Sequence, residues 1–140
     1  MATLKEQLEL HEGIRKFPYQ DTVGKWTIGV GRNLTDKGIS DTTIAQMLDE
    51  DLIECIADLG SFSWFSSLDY IRQRVLIDMR FNLGSSGFRG FKNTLKAVGE
   101  GRYIDASNGM LASKWAKQTK TRAVRLAIMM RDGKDYDSQI

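Results

Sequence analysis

The stretch that decides the fold is EGIRKFPYQDTVGKWTIGVG, residues 12–31. Residues that favour strands recur along it, and glycines that permit tight turns separate them. The strand formers are Phe17, Tyr19, Trp26, Thr27, Ile28 and Val30, and the glycines are Gly24, Gly29 and Gly31. As far as Leu34, the stretch therefore predicts a small hairpin or a three-stranded sheet.

Helical periodicity surrounds this stretch on both sides. Thr3 and Glu6 have capping-box spacing, which predicts a short helix over residues 3–11. After Ser40, a candidate N-cap, apolar residues recur every three or four positions until Gly60 and predict one long amphipathic helix. Shorter helices are predicted near residues 68–83, 88–98, 103–113 and 121–130.

The resulting fold class is α+β and mainly helical. We expect a single domain over residues 1–140, in which a small N-terminal β lobe (about 13–40) is joined by the long helix to a helical C-terminal lobe. The helical lobe would comprise residues from about 60 to 140 together with the N-terminal helix, 3–12. Two lobes of this kind tend to leave a cleft between them, where ligands usually bind.

Length and composition agree with one globular domain. The chain has 140 residues, of which 41% are hydrophobic and 27% charged. The single cysteine, Cys55, excludes an intramolecular disulfide and any multi-cysteine zinc site, and no metal-ligand spacing is present, so we expect no metal and no cofactor. The longest apolar run is five residues, against about 20 for a membrane span, so we expect no stable membrane association.

Charge is segregated along the chain although the net charge is only +2. Residues 41–58 contain six acids and no base, and residues 114–131 contain six bases and no acid. A basic region can serve nucleic acid, a membrane or an anionic polymer, or it can be a solvated helix face.

Glu12, Asp21 and Thr27 are the candidates for chemistry. Glu12 falls at the end of the first helix, where the negative end of the helix dipole suits a general acid. Asp21 lies in the predicted turn and would orient a water or stabilise developing positive charge, and the Thr27 hydroxyl would hold that water. The alternative is that two acids and a threonine fall this close together by chance.

The surrounding pattern resembles the signature of the phage-type lysozymes, the endolysins of glycoside hydrolase family 24. That signature is a Glu, eight residues, an Asp, five residues and a Thr, and Glu12, Asp21 and Thr27 match it in type and spacing. The similarity covers most of the chain. It continues in Gly38-Ile39-Ser40, Phe81-Asn82-Leu83-Gly84, Asn93-Thr94-Leu95, Trp115, Gln118-Thr119 and Arg122-Ala123.

The resemblance implies a lysozyme-like fold with glycan bound between the lobes, and it implies the residue roles. Glu12 would be the general acid, Asp21 the carboxylate that positions or activates water, and Thr27 the hydroxyl that holds it. Arg122 matches an arginine that pairs with the catalytic glutamate in the family, or it belongs to a solvated basic face. The implied substrate contacts are Asn33, Leu34, Phe81 and Thr94, although Phe81 alone would also suit a core position.

Two departures from the family pattern affect these expectations. The connection between Leu34 and Ser40 is shorter than in the longer members, which predicts a trimmed β lobe. A family asparagine is replaced by Gly109, so we expect its contact to be lost.

The function this implies is that of a muramidase. It would hydrolyse the β-1,4 bond between N-acetylmuramic acid and N-acetylglucosamine in bacterial peptidoglycan, with inversion, for host cell lysis and an antimicrobial effect. The alternatives are a lytic transglycosylase acting on the same bond and a non-catalytic module that binds cell wall or nucleic acid.

Partners and location are also expectations. We expect a monomer whose partner is the peptidoglycan glycan strand, with no nucleic acid bound. The N-terminal residues Lys5, Glu6 and Glu9 interrupt any signal peptide, which favours a protein that accumulates in the host cytoplasm and reaches the wall through a holin-type lesion. The pattern suits a domain of a larger virion protein equally well.

Overall fold

The computed structural model describes residues 1–136 and confirms a mainly helical α+β fold with one small sheet. Residues 137–140 of the predicted helical lobe lie outside the described residues. Among residues 1–136, no helix is both long and apolar enough to cross a membrane. The elements are α1 (Leu4–Glu12), β1 (Arg15–Gln20), β2 (Trp26–Gly29), β3 (Arg32–Asn33), α2 (Leu34–Lys37), α3 (Asp41–Leu59), a 3-10 turn (Phe65–Ser67), α4 (Tyr70–Arg89), α5 (Lys92–Gly99), α6 (Tyr103–Leu111), α7 (Lys114–Thr119) and α8 (Thr121–Asp132).

The first of two compact units spans Met1–Met47. Its helix α1 begins with the predicted capping box: the Glu6 N–H donates to Thr3 Oγ1 at 3.1 Å, and the Thr3 N–H donates to Glu6 Oε2 at 3.4 Å. The sheet is antiparallel in the order β1-β2-β3, so β2 is the central strand. The predicted three-stranded sheet is therefore confirmed.

The long helix α3 begins after Ser40, whose hydroxyl accepts a hydrogen bond from the Thr43 N–H at 3.1 Å, as predicted for an N-cap. Its apolar residues are less buried than the periodicity implied. Cys55 and Leu59 are buried, whereas Ile44 and Ile56 are 49% and 48% exposed.

The second unit begins at Leu48 and is helical. The prediction of a helix over residues 88–98 was wrong at its start, because α4 continues to Arg89 and α5 begins only at Lys92. Gly84 interrupts α4 with a φ of 75° and a ψ of 170°, which only glycine adopts easily. Two short helices, α2 and α7, were not predicted.

The core of the second unit is built from side chains of α3 to α8. The side chains of Met110, Met129 and Met130 are buried in this core, and Cys55 is buried as well. Burying each large apolar side chain contributes about 1.5–3 kcal/mol. The largest fully buried side chains are Phe88, Leu59, Leu76, Met79, Met110, Met130, Val75 and Val98.

A partly buried ionic network lies beside this core, with Arg80 as its buried member. Asp58 accepts hydrogen bonds from Arg89 Nη2 on Oδ1 and from Arg80 Nε on Oδ2, the latter at 2.6 Å. Arg80 is only 8% exposed, and its Nη2 also lies 3.5 Å from Glu54 Oε1. The hydrogen bonds from Arg89 and Arg80 hold the pKa of Asp58 well below its ordinary range. The buried positive charge of Arg80 is therefore compensated mainly by the carboxylate of Asp58.

Candidate active site

Glu12 is the exposed last residue of α1, and its side chain lies over a neighbouring glycine. Gly13 ends the helix with a φ of 78°, a left-handed value that suits glycine. The Glu12 side chain lies against Gly31 in the turn between β2 and β3: a methyl carbon on Gly31 would be 2.7 Å from Glu12 Oε2. Gly31 thus leaves room for the carboxyl group of Glu12 over the sheet.

Asp21 organises the turn between β1 and β2. Its Oδ1 accepts hydrogen bonds from the Val23 N–H at 2.9 Å and from the Lys25 N–H at 2.8 Å. In the part of the chain that the structure describes, no protein group donates to Oδ2. The carboxylate is therefore oriented through one oxygen, and its other oxygen is free to bind water.

Thr27 occupies the middle of the central strand, paired with Tyr19 on one side and Asn33 on the other. It is 4% exposed, and it is the single residue of Met1–Met47 that is buried. Its hydroxyl donates to the Lys25 carbonyl at 3.0 Å. Because that bond uses the only proton of the hydroxyl, Thr27 Oγ1 can receive a hydrogen bond but cannot donate a second one.

The backbone of Lys25 connects Asp21 with Thr27. Its N–H donates to Asp21 Oδ1, and its carbonyl accepts from both the Asp21 N–H, at 2.9 Å, and the Thr27 hydroxyl. The sequence did not indicate this role, because a backbone link leaves no signature in the side chain at position 25. The carboxylate and the hydroxyl are thus held by the same residue.

Asn33 and Leu34 lie where β3 ends and α2 begins. Asn33 caps α2: its Oδ1 accepts from the Asp36 N–H and its Nδ2 donates to Asp36 Oδ2, both at 3.0 Å. Leu34 is the half-buried first residue of α2. The Asn33 amide therefore has a structural task in the protein, and the substrate contacts of both residues stay predictions.

Phe81 and Arg122 line one pocket of about 220 Å³ in the second unit. Phe81 projects from α4 and is 43% exposed, so it is not a core residue. The Arg122 Nη2 lies 2.6 Å from Asp78 Oδ1, to which Arg122 Nε also donates at 2.8 Å. Arg122 is therefore an ion-paired residue, and its pairing with Glu12 stays a prediction. Asp78 was missed as its partner, because only the packing of α8 on α4 brings the two together.

Thr94 lines different pockets of the second unit and is 5% exposed. A methyl carbon on Gly109 would lie 2.5 Å from Thr94 Oγ1. Glycine at this position therefore leaves room for the Thr94 hydroxyl, which a larger residue would displace.

Among residues 1–136, no group of three or more His, Cys, Asp or Glu side chains could hold a metal ion.

Glu12 precedes a small antiparallel sheet, Asp21 lies in its first turn, and Thr27 is buried in its central strand. With the helical unit that follows, this arrangement is that of a lysozyme-like α+β protein. The phage lysozyme family matches residues 9–131. The chain therefore belongs to the phage lysozyme family. This membership supports cell-wall hydrolysis of the muramidase type as the general activity.

Individual relatives are distant but extend over almost the whole chain. "Probable T4-type lysozyme 2" of Dictyostelium discoideum is 27% identical, covering 97% of this chain and 99% of the relative. "Probable T4-type lysozyme 1" of the same organism is 24% identical, covering 95% and 96%. The "Pre-baseplate central spike protein Gp5" of Enterobacteria phage T4 is 26% identical over 94% of this chain but only 28% of its own length.

Proposed function

We propose that this protein is a muramidase that hydrolyses the β-1,4 bond between N-acetylmuramic acid and N-acetylglucosamine, with Glu12, Asp21 and Thr27 as its catalytic residues. The observation that carries the proposal is the arrangement around Lys25. One residue holds a carboxylate with a free oxygen and a buried hydroxyl with a free acceptor position. A water between them could donate one proton to the carboxylate of Asp21 and the other to the hydroxyl oxygen of Thr27, which would orient it for attack.

The proposed roles of Asp21 and Thr27 follow from where their hydrogen bonds go. A water that donates one proton to Asp21 Oδ2 and the other to Thr27 Oγ1 keeps a lone pair for attack on the anomeric carbon. As the water oxygen forms its bond to that carbon, Asp21 accepts a proton. Since Thr27 can only accept in this geometry, it orients the water without competing for its lone pair.

Glu12 acts on the leaving group in this proposal. It donates a proton to the glycosidic oxygen while the bond from that oxygen to the anomeric carbon breaks. Water supplies the hydroxyl of the new reducing end, and the proton passed to Asp21 balances the proton that Glu12 gives up. The position of Glu12 against Gly31 supports this role, because it places an exposed carboxyl group over the turn between β2 and β3, within reach of a bound glycan.

The roles are tested by turnover of purified peptidoglycan. Glu12→Gln keeps the size of the side chain and removes the acid, so we expect turnover to fall by about 10²–10⁴-fold. Substantial residual turnover of the pure variant would remove Glu12 from the mechanism.

Thr27 needs a matched pair of variants. Thr27→Ser keeps the hydroxyl, whereas Thr27→Val keeps the shape and suits a buried strand position. We expect Thr27→Ser to retain most of the turnover and Thr27→Val to lose about 10²-fold while remaining folded by circular dichroism. Equal turnover of the two variants would contradict the water-holding role.

A further inference from the structure

A pocket of about 340 Å³ in the second unit combines aromatic rings with positive charge. It is distinct in its residues from the proposed catalytic set. Its lining residues are Phe62, Trp64, Arg89, Lys92, Leu95 and Lys96.

The aromatic side of this pocket is held firmly. The rings of Phe62 and Trp64 lie 5.1 Å apart, centre to centre, with an angle of 34° between their planes. Phe62 also packs edge-on against Phe88 of the core, at 6.3 Å. The Trp64 indole approaches the end of α5 so closely that a methyl carbon on Gly99 would be 2.7 Å from its Nε1. These contacts present a partly exposed aromatic surface in a fixed orientation.

The charged side of the pocket has two kinds of cation. The guanidinium of Arg89 lies 4.8 Å from the centre of the Phe62 ring and is already paired with Asp58. Lys92 and Lys96 are one helical turn apart on α5 and exposed, and among residues 1–136 neither has a protein hydrogen bond or ion pair. Among the residues that the structure describes, no acidic side chain lines the pocket. Two ammonium groups are thus available to an anionic ligand.

We propose that this pocket binds an anionic saccharide of the cell wall, with one apolar face of the sugar ring on Trp64 and a carboxylate or phosphate on Lys92 and Lys96. A flat aromatic surface with cations at one side is complementary to a ligand that has a flat apolar face and an anionic edge. The volume lies within the range of small-molecule pockets and suits one or two sugar units. The choice of a sugar over other anions rests on the proposed cell-wall substrate.

Such a site would attach the protein to the wall independently of bond cleavage. Carboxylates in the wall come from muramic acid and its peptides, and phosphates from phosphate-linked sugar polymers. Both sources place negative charge next to a sugar ring, so they share the chemistry that the pocket recognises.

The test is an NMR titration of the full chain with single sugars, which contain no glycosidic bond to cleave. The probes are N-acetylmuramic acid, N-acetylglucosamine 1-phosphate, neutral N-acetylglucosamine, inorganic phosphate and uridine monophosphate. We expect at least one of the two acidic sugars to shift the indole N–H resonance of Trp64, identified from its absence in Trp64→Phe. That sugar should bind about tenfold more tightly than the neutral sugar. The acidic sugar that binds more tightly identifies the source of the charge.

Variants connect the binding to the pocket. Lys92→Gln with Lys96→Gln should weaken binding of the acidic sugar by about tenfold. The control Lys114→Gln with Lys117→Gln also removes two positive charges, from exposed positions on α7, and should change the affinity for the acidic sugar by less than about twofold. The fold of each variant is checked by circular dichroism.

Several outcomes would overturn the proposal. The first is that neither acidic sugar binds, and the second is that the neutral sugar binds as tightly as the acidic ones. The third is that inorganic phosphate or the nucleotide binds as tightly as the acidic sugars. The fourth is that both double variants lose the same amount of affinity for the acidic sugar. Because none of these measurements involves turnover, a failure here leaves the proposed muramidase activity standing, and a failure of that activity leaves this test valid.

Discussion

Asp21 has two possible tasks, and a pair of substitutions separates them. Its Oδ1 accepts two backbone hydrogen bonds that build the turn, whereas its free Oδ2 is the oxygen proposed to act on water. Asp21→Asn keeps an oxygen acceptor for both N–H groups and removes the negative charge. Asp21→Ala removes the acceptor and the charge together.

The expected changes in stability follow from the number of hydrogen bonds. A net contribution of about 1 kcal/mol for each bond makes Asp21→Ala less stable by about 2 kcal/mol. That loss lowers the melting temperature of a chain of this size by about 7 °C. Asp21→Asn should lose only about 0.5 kcal/mol, because the two bonds remain and only their assistance by charge is lost.

Activity should follow a different pattern. If the Asp21 charge activates water, both variants lose about 10²–10⁴-fold in turnover, although only the alanine variant is clearly destabilised. The measurements are thermal unfolding by circular dichroism and the initial rate of peptidoglycan solubilisation, well below the melting temperature of each variant. An asparagine variant with normal turnover would refute the catalytic role and leave Asp21 as a turn residue.

Further predictions concern the support of Glu12 and the buried ion pairs. Gly31→Ala should lower turnover about 10²-fold, because the added methyl group displaces the Glu12 carboxyl group. Gly29 has a similar φ of 67° but no atom within 4 Å of an added methyl group, so Gly29→Ala should only destabilise the protein, by about 1–2 kcal/mol. Equal turnover of the two variants would contradict this account. Asp58→Asn should lower the free energy of unfolding, measured by chemical denaturation, by about 3 kcal/mol. The control Asp105→Asn, whose arginine partner is exposed, should lower it by less than about 1 kcal/mol. Similar losses in the two variants would show that the ion pairs of Asp58 do not stabilise the protein. Its arginine partners lower the pKa of Asp58 in the folded protein, so its contribution should be complete above about pH 4 and decline as the pH falls further. A difference in unfolding free energy between the unmodified protein and Asp58→Asn that stays the same from about pH 4 to about pH 2 would contradict that.

Much of the fold is predictable because its signals are local. The capping box at Thr3 and the N-cap at Ser40 depend on residues three apart, and both are present in the structure. The helices α2 and α7 are only four and six residues long, too short for periodicity to reveal them. The end of α4 was misplaced because Phe88 suits the apolar pattern of the next helix as well as its own. Its burial in the shared core follows from tertiary packing.

The candidate site divides in the same way. The identity and spacing of Glu12, Asp21 and Thr27 are visible in the sequence. The link through the Lys25 backbone is not, because it depends on the register of a hairpin. Likewise the contact of Glu12 with Gly31 and the pairing of Arg122 with Asp78 join residues that are distant in sequence. The predicted cleft between two lobes stays a prediction.

The central claim is hydrolysis that depends on Glu12, and the most direct test is a mass spectrum of the products released from purified peptidoglycan by the protein and by Glu12→Gln. The account predicts disaccharide-peptides with reducing ends from the unmodified protein and none from the variant. Anhydro-sugar products would show a lytic transglycosylase, and no released product from either protein would leave a non-catalytic binding module or an enzyme for a different substrate. Either of these results would contradict the proposed mechanism.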